Sequence, residues 1–152
     1  MSKFWDKRTS GPIKAIHPAT GKVIEVDPQR DAKISSDLDA ELRRLPALLS
    51  WYLSLRDTAE KHLREAKHEE HNAGEDLYEE LRQKMPKATE TTVKMAVKVH
   101  PRMRKAFRAR MDAQDMHQRL KSQVGAIEEK RWSLMGLTKT ALMERGTKDH
   151  AW

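Results

Sequence analysis

The stretch VHPRMRKAFRARMD, Val99 to Asp112, carries Arg102, Arg104, Lys105, Arg108 and Arg110 and no acidic side chain before its last residue. The imbalance extends upstream. Lys87, Lys94 and Lys98 bring the basic residues between Lys87 and Arg110 to eight, against Glu90 alone, so these 24 residues hold as much net charge as the whole chain, +7. Cations at that density attract polyanions and speed encounter with them, which makes nucleic acid the first partner to weigh. Phe107 stands inside the block, and with His100 and Tyr78 it is a candidate surface on which unpaired bases would stack. The plainer reading is a solvated helix face, but solvation calls for interspersed signs rather than one sign.

Other chemistry has less support. EAKHEEH places Glu65, His68 and His71 at helical spacings, and Glu65 with His68 has the E-x-x-H spacing of di-iron bundles. A complete site of that kind needs a second such motif and two further inward carboxylates, and the chain has neither. There are no cysteines, so thiolate metal sites and disulfides are excluded. No phosphate-binding glycine loop, nucleophile elbow or H-E-x-x-H motif occurs. The expectation is a protein that is not an enzyme and holds no metal or other cofactor.

The basic block means one thing on a loose tail and another on a rigid helix, so the elements around it decide its role. From Ser36 or Asp37, either of which suits an N-cap, apolar residues recur at alternating steps of four and three: Leu38, Leu42, Leu45, Leu49, Tyr52, Ala59, Leu63, Ala66, Ala73 and Leu77. Arg56 and Glu70 interrupt the stripe, and Pro46 should kink this helix or split off a leading one. MPKATE ends the helix near Met85. Thr89 caps a short helix from Glu90 to Val99 that buries Val93 and Val97, and Pro101 opens a third helix at the position where its missing donor costs nothing. That last helix repeats Ala106, Ala113, Leu120, Ile127, Leu134 and Ala141 at strict heptad spacing and should end near Arg145, with Gly146 as its cap. The basic block then sits on the first turns of the returning helix, with Arg104, Lys105 and Arg108 grouped on one side and Arg110 among apolar neighbours, free to snorkel outward.

The expected fold is all-α: a long antiparallel helical hairpin with a short connecting helix and coiled-coil seams, preceded by a β-hairpin or extended arm. The arm covers residues 1–33, where Pro12, Pro18, Gly21 and Pro28 punctuate the apolar runs IKAI and KVIEV. An isolated hairpin is marginal in water and must lean on the helices or on a neighbouring subunit. The hairpin domain spans residues 34–146 and a tail residues 147–152. A composition of 38% hydrophobic, 35% charged and only 5% aromatic residues favours long, partly exposed helices over a thick core. Leu48, Leu53, Leu55, Met116, Val124 and Trp132 lie off the stripes and should stay partly exposed, which points to an oligomer. Leu120, Val124, Ile127 and Leu134 are the expected oligomerisation residues. Gly74, Gly125 and Gly136 fall inside helices, where they serve either close approach or local flexibility. No apolar run reaches a membrane span, and MSKFWDKRTSG lacks the apolar core of a signal peptide, so a cytoplasmic protein without membrane contact is expected.

In order, WYLSLRDTAEKHLREAK, LYEELRQKM, KATETTVKMAVKVHP and LKSQVGAIEEKRWSLMGLTKTALMERG resemble the UvsY-type recombination mediators of tailed bacteriophages. The resemblance covers roughly residues 37–145 and lies in the succession of a seam helix, a Tyr near its end, a Lys-x-Thr-Glu connector and a helix of Leu and Ala heptads. It implies a ring-forming homo-oligomer in the infected bacterial host cell. Such a protein binds single-stranded DNA, remodels single-strand-binding protein and helps load a RecA-like recombinase. The family's basic LKAR-like segment is represented here by HLREAK, with Arg64 and Lys67 as the counterparts, so DNA contacts fall either there or at the tip cluster. The competing expectations are a structural coiled-coil adaptor whose basic face docks on an acidic protein, and an architectural duplex-DNA-binding protein.

Overall fold

The computed structural model describes residues 11–33 and 35–149. The chain is mostly helical: β1 (Ile13–Ile16), β2 (Val23–Val26), α1 (Pro28–Ala32), α2 (Leu38–Lys84), α3 (Glu90–Val99) and α4 (Pro101–Asp149). It divides into two compact units. The first comprises Met1–Asp57 with Arg119–Trp152, and the second Thr58–Gln118.

In the first unit, β1 and β2 pair antiparallel with Ile13 opposite Val26 and Ile16 opposite Val23. The reversal between them is held by His17, whose N–H donates to the Lys22 carbonyl at 2.8 Å and whose carbonyl accepts from Gly21 N–H at 2.9 Å. Gly21 has φ +68°, a conformation that a Cβ would penalise. Alternation along β1 buries Ile13 and Ala15 and exposes Lys14, the period of two that a half-buried strand requires.

Residues 27–32, expected to be extended, contain α1 instead. Asp27 accepts from Gln29 N–H at 3.1 Å and Arg30 N–H at 3.2 Å, and Pro28 occupies the first turn, where no donor is needed. Asp37 caps α2 by accepting from Ala40 N–H at 3.1 Å. Pro46 neither splits nor ends α2, which runs unbroken for 47 residues; one lost backbone bond near the start is outweighed by the ladder on either side.

The core of this unit gathers Ile13, Ala15, Val26, Leu45, Tyr52, Leu55, Leu120, Val124, Ile127 and Leu134. Leu55 and Val124, expected at the surface, are 0% and 4% exposed, because the stripe they flank is wider than a strict two-position seam. Trp132 does lie outside, 70% exposed. Leu48 and Leu53, and Met116 in the second unit, are half-buried. Gly146 does not stop α4, which continues through Asp149; a glycine ends a helix when it turns left-handed, and Gly21 is the one described glycine that does so. Of the expected arm and tail, residues 1–10 and 150–152 lie outside the described residues.

A polar clasp ties α1 and the segment after it to the long helices. Lys130, 5% exposed, donates to the carbonyls of Asp31 at 3.1 Å and Lys33 at 3.0 Å and pairs with Glu41 at 2.7 Å. Glu41 also accepts from Ser35 N–H at 3.2 Å. Tyr52 donates to Asp31 at 2.5 Å, and Gln123 donates to the Pro28 carbonyl at 3.3 Å. The Lys130 hydrogen bond holds the Glu41 carboxyl below its ordinary range despite burial, whereas burial, reinforced by Asp31, pushes the Tyr52 phenol far up.

The second unit contains the later part of α2, all of α3 and the start of α4. Glu70 pairs with Arg110 and Glu80 with Arg102, so partners ascend on α2 as they descend on α4, and the two helices run antiparallel here. Its core is thin: Ala59, Leu63, Ala66, Leu77, Val93 and Ala113.

Candidate nucleic-acid interface

The turn between α2 and α3 begins with Met85 N–H donating to Leu81 at 2.9 Å and is braced by Arg82, which donates to the Ala88 carbonyl at 2.6 Å. Thr89 then accepts from Thr92 N–H at 3.3 Å and opens α3 as its N-cap. A single residue separates α3 from α4. His100 precedes a proline and is therefore held extended, at φ −66° and ψ 138°. Its N–H donates to the Val97 carbonyl at 3.1 Å, its carbonyl accepts from Arg104 N–H at 3.0 Å, and its ring Nδ1 accepts from Arg102 N–H at 3.1 Å. His100 thus closes one helix and caps the next, which fixes where the basic residues of both begin.

Of the eight basic residues between Lys87 and Arg110, three are engaged with carboxylates. Lys94 meets Glu90 at 3.0 Å, Arg102 meets Glu80 at 3.4 Å, and Arg110 meets Glu70 while also donating to Gln114 at 3.1 Å. The mutual hydrogen bond holds the Glu90 carboxyl below and the Lys94 ammonium above their ordinary values. Lys87, Lys98, Arg104, Lys105 and Arg108 are exposed and have no ion-pair partner among the described residues. Arg104 and Arg108 sit one turn apart on α4, with Lys105 beside them. The first turn of α4 carries no acidic residue, unlike those of α2 and α3, so the positive end of its dipole adds to the same field.

Phe107 lies within this ridge, 47% exposed, with the Arg110 guanidinium over its ring at 5.1 Å from the centroid. Of the other stacking candidates, Tyr78 is half-buried and His100 is engaged as a cap. The sequence reading missed Met95 and Val99, which share the outer face of α3 at 58% and 54% exposure. Their spacing of four was the available signal, hidden because Val93 and Val97 already account for one apolar side.

Arg64 and Lys67 are exposed on α2 in the same unit; Lys67 borders a shallow pocket with Glu70, His71, Met103 and Arg110. Glu65 is exposed, His68 lies 3.1 Å from the Asn72 amide, and His71 lies 3.1 Å from Glu75. The E-x-x-H pair therefore faces away from the core, and no group of three metal-ligating side chains occurs among the described residues.

The expected oligomerisation residues belong to the other unit. Leu120, Ile127 and Leu134 are 0% and Val124 4% exposed within the single chain. Among the described residues, the large apolar side chains that remain outside on the part of α4 in this unit are Trp132, Met135, Leu137, Leu142 and Met143. Among the described residues no helix is long and apolar enough to cross a membrane. Compared with family models, curated proteins and solved structures, the chain matches none of them.

Proposed function

We propose that the protein binds single-stranded DNA through the basic ridge of its second unit and acts, without catalysis, as a recombination mediator. In that role it would help load a RecA-like recombinase onto DNA covered by single-strand-binding protein, in the cytoplasm of an infected bacterial cell. The observation that carries the DNA-binding part is the group Arg104, Lys105 and Arg108, exposed, without carboxylate partners and adjacent to a half-exposed Phe107. Carboxylates already offset Lys94, Arg102 and Arg110, so the phosphate contacts fall first to the unpaired cations. The mediator role rests on the resemblance of residues 37–145 to the UvsY-type proteins.

Self-association fits the same reading. The exposed Trp132, Leu142 and Met143 are apolar surface that a second copy would cover. In a ring of several copies, one modest ridge per subunit becomes a repeated track, and avidity supplies the affinity.

Titration of labelled single and double strands over a salt series tests the proposal. Sequence-independent binding that weakens steeply with salt is expected, because bound counterions are released. The triple change Arg104→Glu, Lys105→Glu, Arg108→Glu should abolish binding while leaving helicity and oligomer size intact. Reversal at Arg64 and Lys67 is the control: loss there and not at the triple places the track on α2. Equal binding to duplex and single strand favours the architectural reading. A second reading, an adaptor docking on an acidic protein, draws on the exposed Met95 and Val99 beside Lys94 and Lys98, and absence of binding to either nucleic acid favours it.

A further inference from the structure

Two aromatic side chains of the described residues stand well out of their helices, and their surroundings differ in sign. Trp132 has the exposed Glu128 and Glu129 one turn before it and the exposed Arg131 beside it, so acidic charge outweighs basic there and disfavours a ligand that brings phosphates. Phe107 has Arg104 one turn before it, Arg108 beside it and Arg110 one turn after it. An exposed benzene ring among cations is poorly placed for a protein core and well placed for a ligand that joins a flat apolar surface to negative charge.

Arg110 gives this ring a second distinguishing feature. Its guanidinium lies over the Phe107 ring and is held there by Glu70 on α2 and by Gln114 on α4. With Glu70 and Arg110 side chains only 20% and 23% exposed, the guanidinium is anchored from behind and is not a mobile surface cation. One side of the ring is therefore backed by a planar cation while Phe107 as a residue stays 47% exposed. Arg104 and Arg108, exposed and without carboxylate partners, lie one turn before Phe107 and next to it on α4, both on the same side of the helix.

We infer that Phe107, backed by Arg110, is a stacking platform for one unpaired nucleobase, with Arg104 and Arg108 holding the neighbouring phosphates. This deepens the proposed DNA binding by naming the part of the polynucleotide that is read. A duplex keeps its bases inside the stack and offers the ring nothing. A single strand offers every base in turn, whatever its identity, since each has a π-face. Preference for single strands then originates at one side chain, and the cations alone would not create it.

The test uses the full chain, a labelled oligothymidylate and a base-free deoxyribose-phosphate oligomer of equal length and charge, followed by fluorescence anisotropy. The wild type should bind the thymidylate about tenfold more tightly than the base-free strand, within the range expected of one aromatic–base stack. Phe107→Ala should erase that difference while keeping affinity for the base-free strand. Phe107→Leu, which keeps apolar bulk on an exposed helix position, should behave as Ala does, and Phe107→Trp should retain the difference. Equal wild-type binding to both oligomers overturns the platform and leaves the phosphate ridge standing. A base preference that survives in both the Ala and Leu variants overturns it as well. If the wild type binds neither oligomer, the proposed function falls with it.

Discussion

In the first unit Lys130 and Glu41 are drawn out of water to 3% and 7% side-chain exposure and meet at 2.7 Å, whereas in the second Arg104, Lys105 and Arg108 stand in solvent without carboxylate partners. The contrast follows from what each unit must hold together. Residues 31–33 leave α1 with carbonyls that no ladder satisfies, and the Lys130 ammonium supplies the donors. A hydrophobic residue there would pack but leave those carbonyls unpaired. In the second unit the Ala88 carbonyl of the turn after α2 is met by Arg82, whose charge stays exposed. The interior of that unit is largely alanine and leucine, and its cations are left for the surface. Buried charge here serves the fold, and exposed charge is what remains available for a ligand.

The largest expected effect comes from breaking the clasp. Lys130→Ala removes one partner of a buried pair and strands Glu41 together with two carbonyls, so it should cost about 3–5 kcal/mol in urea unfolding followed by circular dichroism. A cost under about 1 kcal/mol would mean that the apolar contacts of β1 and β2 hold the segment unaided. The double change Glu41→Gln, Lys130→Met should recover part of the loss, since it withdraws both charges at once.

Next in size is Tyr52→Phe, which leaves the buried Asp31 carboxylate one donor short and should cost about 1–3 kcal/mol. The same clasp sets the pH limits of stability. The Glu41 carboxyl is lowered from its ordinary value of 4.5, so its contribution is complete above that value and is lost as pH falls through the lower folded value. The Tyr52 phenol is raised from 10.0, so its contribution is complete below that value and declines as pH rises above it. Unfolding midpoints across the pH range should therefore fall at both ends. Tyr52→Phe should flatten the alkaline limb and leave the acid limb in place.

Why the clasp escaped the sequence reading while the helices did not has a physical explanation. Thr89, Pro101 and the Ala113, Leu120, Ile127, Leu134 repeat act locally, through capping and helical period, so the bounds of α3 and the inward face of α4 could be written down from spacing alone. The hairpin strands were legible for the same reason. Lys130 lies 97 residues from Lys33, and nothing local marks it as buried. Glu70 and Arg110 show the limit most clearly. Each stood out separately as a polar residue in an apolar stripe, yet only the register of α2 against α4 reveals that they answer each other. The basic ridge was legible as charge, but the partition into engaged and unpaired cations depends on that register too.

A smaller effect separates the two uses proposed for helical glycines. A Cβ built on Gly125 meets nothing within 4 Å, so close approach of another helix is not what the position requires. Gly125→Ala should stabilise the first unit by about 0.5–1 kcal/mol through helix propensity, seen as a higher unfolding midpoint. Destabilisation would show that the position is needed for contact with something beyond this chain.

The smallest expected change in stability belongs to the ion pair at the edge of the ridge. Glu80 and Arg102 are about half exposed and 3.4 Å apart, so Glu80→Gln should alter stability by no more than about 0.5 kcal/mol. Its consequence for binding should be larger than its consequence for folding. Arg102, released from a carboxylate, becomes available to a phosphate, which should raise single-strand affinity a few-fold and steepen the dependence on salt by close to one counterion. Glu79→Gln is the matched control: Glu79 is exposed and has no ion-pair partner among the described residues, so it removes the same charge from the same turn of α2 without freeing a cation. If both variants strengthen binding equally, the general field of the acidic helix opposes DNA and the Arg102 pair has no special part. If Glu80→Gln alone strengthens it, α2 carboxylates occupy places on the ridge that phosphates would otherwise take.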